Sequence, residues 1–241
     1  MEPSSVATSP FAPLLAAIEL ERRSRISFDC MESSATKRRT RPAAATTPAT
    51  RGDRRRKEIL DAALACFLEK GLDVTTLGDI RERSGASTGS IYHLFDSKEA
   101  IAGALFLESQ HALHERILDA MRESESGEAA LEGAVKGYVA WVVAEPARAR
   151  FLFDAPRSRA GVHVRAELVE ENRAFLAAVK AQVTELAQKG VIRPLPMDVF
   201  VAVVLGPMQE WARQHLDGIA KSAPRTAARE LAAAAWRAVR A

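Results

Sequence analysis

The most constraining feature of the sequence is the stretch from Arg54 to Glu108, where helix-capping residues, glycines and apolar residues follow one another at short intervals. Its first part predicts a helix from Arg54 to Lys70, whose apolar residues recur at helical spacing: Ile59, Leu60, Ala63, Leu64, Phe67 and Leu68. Gly71 follows as its C-cap. Such closely spaced helix starts and stops predict short helices joined by tight turns.

Two more short helices are predicted directly after the first. Thr76 and Asp79 have the spacing of a capping box at the start of the second helix, and Gly85 closes that helix. The third helix runs from Thr88 to Phe95 and buries residues at i, i+3 and i+4: Ile91, Leu94 and Phe95. This arrangement is a helix-turn-helix, whose second helix lies in the DNA major groove while the first braces it. The sequence therefore predicts a chain that reads DNA.

The other side of the third helix is suited to contact with DNA. It holds short or aromatic polar groups: Thr88, Ser90, Tyr92 and His93. Such groups can bind phosphate oxygens and base edges, and Gly89 lets the backbone approach DNA closely. A role in the protein core is the alternative for Tyr92 and His93, although apolar residues already fill the buried positions of this helix.

A fourth helix is predicted to begin at a cap formed by Asp96 and Glu99, which places Lys98 in its first turn. A lysine there opposes the helix dipole. A DNA phosphate facing the same amides would make the lysine favourable, because helix N-termini bind anions and lysine adds a positive charge. The alternative is a solvated lysine without a role.

Four landmarks occur in order along this stretch: the segment ILDAALACFLEKG, the pair Thr75-Thr76, the run Ser87-x-Gly89-Ser90-Ile91-Tyr92-His93-x-Phe95, and the triplet Ser97-Lys98-Glu99. Together they resemble the tetracycline-repressor (TetR) family of bacterial transcriptional regulators over about fifty residues. The resemblance implies phosphate contacts from Thr76, Tyr92, His93 and Lys98, base-edge contacts from Thr88, Gly89 and Ser90, and a place for Ser87 in the same DNA-binding surface.

Three positions depart from the usual pattern of that family. Arg81 stands where the family usually has a small alanine, Thr88 replaces a frequent lysine, and Leu94 replaces a frequent aromatic residue. Arg81 is interpreted as a solvated side chain, with a DNA contact as the alternative because it lies on the bracing helix. The resemblance therefore implies DNA binding without specifying the operator sequence.

Composition agrees with a folded, all-α protein. The chain has 241 residues, 47% of them hydrophobic, enough for one small domain and one larger domain with a sizeable core. Helical spacing continues to the end of the chain, while β-strand patterns are nearly absent. The net charge of +3 is unevenly distributed, because nine lysines or arginines face a single acid between Ala35 and Lys57. The basic end is thus the predicted DNA-binding end.

The cysteines and the apolar runs indicate the cellular compartment of the protein. Cys30 and Cys66 form an implausible disulfide, because one lies in a tail and the other on the inward side of the first helix. No stretch approaches the apolar length of a membrane span, and the run from Phe11 to Ile18 lacks the positive segment of a signal peptide. We therefore predict a cytoplasmic protein with no membrane partner.

Residues 1 to 50 are predicted to be disordered, since they are rich in Ser, Thr, Pro and Ala and have no sustained apolar face. The basic half of this tail is interpreted either as an arm that follows phosphates or enters a minor groove, or as a solvated tail. Met31 is a second candidate start, because the apolar residues before it have no partner element. We expect the natural protein to begin there; native peptides from residues 1 to 22 in mass spectrometry would contradict this.

Beyond Glu108 only helix periodicity indicates structure. The fourth helix is predicted to continue to Met121, followed by helices over 131–145, from Pro146, and over 164–189, 197–219 and 227–241. The last two are expected to form a four-helix dimer contact, because two recognition helices must meet major-groove turns about 34 Å apart. Bulk for this contact is expected from Val203, Val204, Met208, Trp211 and Trp236, with an intramolecular core as the alternative.

The middle helices are predicted to enclose an effector pocket, since small-molecule sites are mostly apolar with a few polar anchors. The candidate ligand-binding residues are Phe106, Gln110, His114, Tyr138, Trp141, Phe151 and Phe175, with Asn172 as a further polar candidate. Core packing is the alternative for each of them. Arg148, Arg150 and Arg165 leave an acidic effector open, although solvated arginines are the favoured interpretation.

An enzyme would need a reactive constellation of residues, and the sequence offers none. His111 and His114 beside Glu115 are a weak metal signal, for which a structural or pocket-lining pair is the favoured interpretation. A glycine-rich phosphate loop and a nucleophile elbow are also missing from the sequence. We therefore predict no catalytic residues, no metal site and no cofactor.

The sequence thus predicts an all-α fold in three parts: a disordered basic tail over 1–50, a three-helix helix-turn-helix DNA-binding domain over 51–97, and a larger helical effector-binding and dimerisation domain over 98–241. The predicted function is that of a homodimeric transcriptional repressor released from a double-stranded DNA operator by an unknown small-molecule effector. The alternative is a helix-turn-helix regulator without a small-molecule effector, controlled by a protein partner or acting as an activator.

Overall fold

The computed structural model describes residues 51–122, 124–154 and 172–241, together with the helical backbone of 165–171. The predictions for the tail over 1–50, including its basic arm, Cys30 and the start at Met31, lie outside these residues, as does the side chain of Arg165. The described residues form nine helices and no strand, which confirms the all-α prediction. The helices are α1 (Arg51–Lys70), α2 (Leu77–Ser84), α3 (Thr88–Leu94), α4 (Lys98–Arg122), α5 (Gly127–Ala144), α6 (Pro146–Asp154), α7 (Arg165–Gln188), α8 (Met197–Leu216) and α9 (Pro224–Val239).

Local capping determines where the first helices begin and end. The backbone N–H of Asp79 donates to Thr76 Oγ1 at 3.2 Å, and that of Thr76 donates to Asp79 Oδ2 at 2.8 Å. This reciprocal pair is the predicted capping box. Gly71 and Gly85 follow α1 and α2 with φ of +87° and +62°, the left-handed conformation in which glycine ends a helix at low cost.

The cap of α4 differs from the expected one. Ser97, not Asp96, accepts a hydrogen bond from the backbone N–H of Ala100, at 3.1 Å. A capping oxygen accepts from the amide two or three residues after it, and Asp96 lies four residues before Ala100. Lys98 is therefore the first residue of the helix.

Two later helices begin earlier than periodicity predicts. Ser126 accepts from the backbone N–H of Ala129 at 3.2 Å, so α5 begins at Gly127 rather than near residue 131. α9 begins at Pro224, whose restricted φ and missing N–H suit the first turn of a helix. In both cases the capping chemistry extends the helix beyond its apolar stripe.

Two hydrophobic clusters organise the packing. The first joins α1, α2, α3 and the start of α4, and the second joins the end of α4 with α5, α7, α8 and α9. α4 contributes to both, with Ile101 and Leu105 in the first cluster and Leu113 and Ile117 in the second. α4 is therefore the helix that connects the two clusters.

Close packing of α5 on α4 depends on two glycines. A β-carbon added to Gly133 would lie 2.7 Å from the carbonyl oxygen of Ala120, and one added to Gly137 would lie 3.0 Å from that of Arg116. Real β-carbons almost never approach backbone atoms this closely, so larger residues would push the two helices apart. The two glycines therefore set the distance between α4 and α5.

The side of α8 expected at a dimer contact is largely used inside the chain. Val204, Met208 and Trp211 are buried in the second cluster, which corresponds to the intramolecular alternative for these three residues. Val203 and Trp236 are only half-buried at its edge.

No helix among the described residues is long and apolar enough to cross a bilayer.

Candidate DNA-binding surface and effector cavity

One side of α3 faces solvent, and it carries the predicted DNA-binding residues. Ser87 caps the helix by accepting from the backbone N–H of Ser90 at 3.1 Å. Ser87, Thr88, Gly89, Tyr92 and His93 are exposed, and Ser90 is half-buried. The opposite side is packed: Ile91 and Phe95 are only 2% and 6% exposed. Tyr92 is 55% exposed, so its ring is available to a molecule outside the chain.

Gly89 has no internal reason to be glycine. It lies within α3, its φ is not in the left-handed region, and a β-carbon added there would meet no atom within 4 Å. Glycine in a helix costs about 1 kcal/mol relative to alanine. Packing inside the chain therefore does not require glycine at position 89.

We expect Gly89→Ala to keep or raise the free energy of unfolding by up to about 1 kcal/mol, and to lower operator affinity about tenfold, because a methyl group would stand between α3 and the DNA. Urea denaturation and fluorescence anisotropy with labelled DNA would measure the two effects. Gly206→Ala, at a helical glycine with equally open surroundings, is the control for the folding gain, with its association state measured as well because it lies on α8. Unchanged DNA affinity in Gly89→Ala would argue against contact at this position.

Thr76 and Lys98 already have partners within the chain. The Thr76 hydroxyl belongs to the capping box and also donates to Asp79 Oδ2 at 2.8 Å. Lys98 Nζ donates to the carbonyl oxygens of Leu72 and Asp73, at 2.9 and 3.1 Å. Lys98 therefore ties the start of α4 to the turn between α1 and α2. In this position it couples the long helix directly to the helix-turn-helix.

Arg81 lies next to the recognition helix. Its Nη1 donates to Thr88 Oγ1 at 3.4 Å, and both residues are exposed. A guanidinium from the bracing helix thus reaches the first turn of α3. Both residues are positions at which the sequence departs from the family pattern, and the contact places a positive charge beside position 88.

Ion pairs hold α2 on α1. Arg83 binds Glu69 through two N–O contacts of 2.6 Å, and Lys70 Nζ lies 2.6 Å from Asp79 Oδ1. The Lys70 amine, with the two Thr76 donors, holds the pKa of the Asp79 carboxyl well below its usual range. Exposed pairs of this kind contribute about 0 to 1 kcal/mol each, so their main effect is to orient the helix.

Between α4, α5 and α6 lies a small, mainly apolar cavity. Four of the seven predicted ligand-binding residues line it, namely Phe106, Gln110, Tyr138 and Trp141, together with Leu113, Val142, Ala149, Leu152 and Phe153, which were not predicted. The five additional residues are aliphatic or aromatic and carry no signal that distinguishes them from core residues. The cavity encloses about 20 Å³, which is room for about one water molecule.

The other three predicted ligand-binding residues lie elsewhere. His114 is 2% exposed and stacks on Phe175, with ring centroids 3.9 Å apart. Phe151 belongs to the first hydrophobic cluster, where it stacks on Phe67 of α1 at 5.7 Å and meets Phe106 edge-on at 6.4 Å. Phe151 thus connects α6 to the DNA-binding helices.

Gln110, in the cavity wall, forms a buried amide pair with Asn172 behind it. Gln110 Nε2 donates to Asn172 Oδ1, and the two side chains belong to residues that are 6% and 0% exposed. Within the described part of the chain, Gln110 Oε1 and Asn172 Nδ2 are buried without a hydrogen-bond partner. Buried polar groups normally form hydrogen bonds, and each group without a partner lowers the stability of the fold by about 1–3 kcal/mol.

The arginines considered for an acidic effector contact protein groups. Arg148 lies 3.6 Å from Asp61 Oδ1 and 3.7 Å from Glu145 Oε2. Arg150 donates to the carbonyl oxygen of Leu216 and lies 3.4 Å from an oxygen of Asp217. These contacts attach α6 to its neighbours and leave neither arginine in the wall of the cavity as the described residues define it.

Two features bear on chemistry other than DNA binding. His111 is exposed while His114 is buried, and the described residues contain no group of three metal-binding side chains. Cys66 is a free, buried thiol whose pKa is raised by burial. A thiol that stays protonated is a poor nucleophile and metal ligand.

The fold and the exposed helix define a class of protein: a helix-turn-helix protein with a larger helical body. The model of bacterial regulatory proteins of the tetR family matches residues 59–105. The helix-turn-helix region therefore has the sequence pattern of this family of regulators, as its four landmarks predicted.

The curated relatives match only part of the chain. The repressor KstR2 of Rhodococcus jostii is 51% identical over 47 residues, 20% of this chain and 23% of that protein. The regulator TtgR of Pseudomonas putida is 39% identical over 71 residues, 30% of this chain and 32% of that protein. The matches thus span about a quarter to a third of the curated relatives.

Solved structures resemble most of the chain in fold. A TetR-family regulator from Marinobacter aquaeolei has a TM-score of 0.67 at 20% identity, covering 79% of this chain and 97% of that one. The fatty acid degradation regulator FadR from Bacillus halodurans has a TM-score of 0.66 at 18% identity, covering 80% and 97%. The helical body beyond the helix-turn-helix therefore has the fold of TetR-family regulators.

Proposed function

We propose that this chain is a homodimeric transcriptional repressor of the cytoplasm that binds a double-stranded DNA operator through α3 and is released by a small molecule. The observation that carries the proposal is the solvent-facing side of α3, on which Tyr92 is 55% exposed and Gly89 leaves open space. Several matched relatives are named as repressors, which supports this direction of regulation. The proposed DNA-binding domain covers 51–97 and the effector and dimerisation domain 98–241.

In the DNA complex, we assign base contacts to the first turn of α3 and phosphate contacts to its flanks. Thr88, Gly89 and Ser90 face base edges, and Ser87 lies at the start of the same surface. The phosphate contacts come from Thr76, Tyr92, His93 and Lys98. Arg81 adds a guanidinium beside Thr88, and arginine is the side chain that most often binds guanine.

A dimer is part of the proposal because one short recognition helix binds too weakly for specificity. The contact involves the outer sides of α8 and α9, where Val203 and Trp236 are half-buried and Val199 is 41% exposed. These residues differ from the buried side of α8 that packs inside the chain. Sedimentation equilibrium would measure the association, and a monomer at micromolar concentration would contradict it.

Coupling between ligand and DNA would run through α4 and α6. Phe106 and Leu152 line the cavity, and both also contact the first hydrophobic cluster. Phe151, next to Leu152, stacks on Phe67 of α1. A ligand that enlarges the cavity would therefore move α6 against α1 and change the separation of the two recognition helices.

Access to the cavity would pass Trp141. This residue lines the small cavity and also a wider groove of about 530 Å³ between α4 and α5. A rotation of the indole would join the two spaces. The small volume of the cavity, in contrast, favours the second candidate. This candidate is a regulator without a small-molecule effector, which either is controlled by a protein partner or acts as an activator.

Reciprocal titration tests the proposal. A thermal-shift screen of metabolite mixtures first identifies a compound that stabilises the protein. We expect this compound to lower operator affinity, and the operator to lower affinity for the compound by the same factor, because coupling free energies are reciprocal. A compound that binds near Trp141 without changing operator affinity would refute the coupling and favour the second candidate.

A further inference from the structure

The amide pair of Gln110 and Asn172 is an incomplete hydrogen-bond network. Gln110 lies on α4 and Asn172 on α7, 62 residues apart in the chain, and one N–H···O bond joins them. Gln110 also lines the cavity between α4, α5 and α6. Gln110 therefore brings an unsatisfied carbonyl oxygen to the wall of a mainly apolar space, and Asn172 lies directly behind it.

The hydrogen-bonding capacity left over does not depend on how the two amides are turned. Each amide has one carbonyl oxygen and one NH2 group, and a single bond between them uses one oxygen and one N–H. One carbonyl and one NH2 group always remain. In the observed arrangement these are Gln110 Oε1 and Asn172 Nδ2, both buried.

A ligand that completes this network must accept one hydrogen bond and donate another. Carboxamides and alcohols do both. A carboxylate only accepts, so it would face Gln110 Oε1 without a proton to share, and it would lose its hydration among Phe106, Leu113 and Val142. The nearby Arg148 does not compensate, since it pairs with Asp61 and Glu145.

We propose that the cavity selects neutral, largely apolar compounds that carry one group able both to donate and to accept a hydrogen bond, and that it discriminates against carboxylates. Gln110 and Asn172 are the residues that form hydrogen bonds with this group. The inference rests on the proposed effector site and names the chemical class of its ligand. A single water is the competing occupant, because the enclosed space of about 20 Å³ fits one.

Four probes with one apolar body test the selection: 3-phenylpropanamide, 3-phenylpropan-1-ol, 3-phenylpropanoate and propylbenzene. Isothermal titration calorimetry is carried out on the full chain without DNA, so the ranking does not depend on whether the protein is a repressor. We expect the amide and the alcohol to bind about tenfold or more tightly than the carboxylate and the hydrocarbon, in line with about 1–3 kcal/mol for satisfying a buried polar group.

Gln110→Leu is the decisive variant, and Asn172→Leu replaces it if the first does not fold by circular dichroism. Either should reduce the preference for the amide over propylbenzene to within about threefold while propylbenzene binds as before. Gln188→Leu, the same change at an exposed residue at the end of α7, should leave the ranking intact.

Three results would overturn the proposal. The first is a carboxylate that binds as tightly as the amide. The second is an amide preference that persists in both leucine variants. The third is binding of none of the four probes at millimolar concentration, which would show that the amide pair holds only a trapped water. Operator release is not measured in any of these experiments, so a failure of the repressor proposal would be seen separately.

Discussion

Phe151→Ala is expected to lower the free energy of unfolding by about 3–5 kcal/mol, the usual cost of removing a buried phenyl ring. Phe151 is 2% exposed, stacks on Phe67 and meets Phe106 edge-on, so its loss leaves a cavity between α1, α4 and α6. Urea denaturation followed by circular dichroism measures the change. Phe153→Ala, two residues later on the same helix, is the matched control.

The control is expected to lose clearly less stability, because Phe153 is half-buried and lies at the cavity wall. Equal losses in Phe151→Ala and Phe153→Ala would contradict the position of Phe151 in the DNA-binding core. Phe151→Leu separates stability from coupling, since it keeps much of the buried volume but removes the ring contacts. We expect this variant to bind the operator and to respond less to an effector.

Tyr92→Ala is expected to weaken operator binding about tenfold or more on all sequences without changing the slope of affinity against salt. Tyrosine contributes a phosphate contact but no positive charge, and counterion release follows the charges. The operator is taken from a random duplex pool by selection with the wild-type protein. Ile219→Ala is the control, because Ile219 is similarly exposed, at 57%, and lies outside the helix-turn-helix.

Charged residues should behave differently in the same assay. Arg81→Ala is expected to change the preference among sequences, because its guanidinium reaches the base-facing end of α3. Lys98→Ala should reduce the salt slope by about one for each subunit, and also loosen the turn at Leu72 and Asp73 that its amine holds. Wild-type affinity of a folded Tyr92→Ala protein at all salt concentrations would mean that α3 is not the recognition helix.

Local chemistry allowed the helix-turn-helix to be predicted from the sequence. The capping box of Thr76 and Asp79 and the left-handed glycine at Gly85 involve residues only a few positions apart, so the sequence alone contains the complete signal. The exposed side of α3 followed from the period of its apolar residues. Placing Ser97 rather than Asp96 at the cap of α4 required the actual hydrogen bond.

The candidate effector site was only partly predictable. Aromatic residues at helical spacing indicate burial, but they do not reveal which cluster a side chain joins. Phe106 and Trp141 line the cavity, whereas Phe151 packs on α1 and Phe175 stacks on His114. The helix spacing set by Gly133 had a sequence signal, two glycines four residues apart, which could have been found.

The sequence by itself determined that the chain is helical, the caps of α2 and the surface of α3, because these depend on neighbours within a turn or two of the chain. Only the tertiary structure decided that Val204 and Met208 belong to the chain's own core and that Gln110 meets Asn172 from 62 residues away. Contacts between distant segments depend on how helices cross and how closely they approach. That geometry arises from the packing of all the side chains together, and no local pattern encodes it.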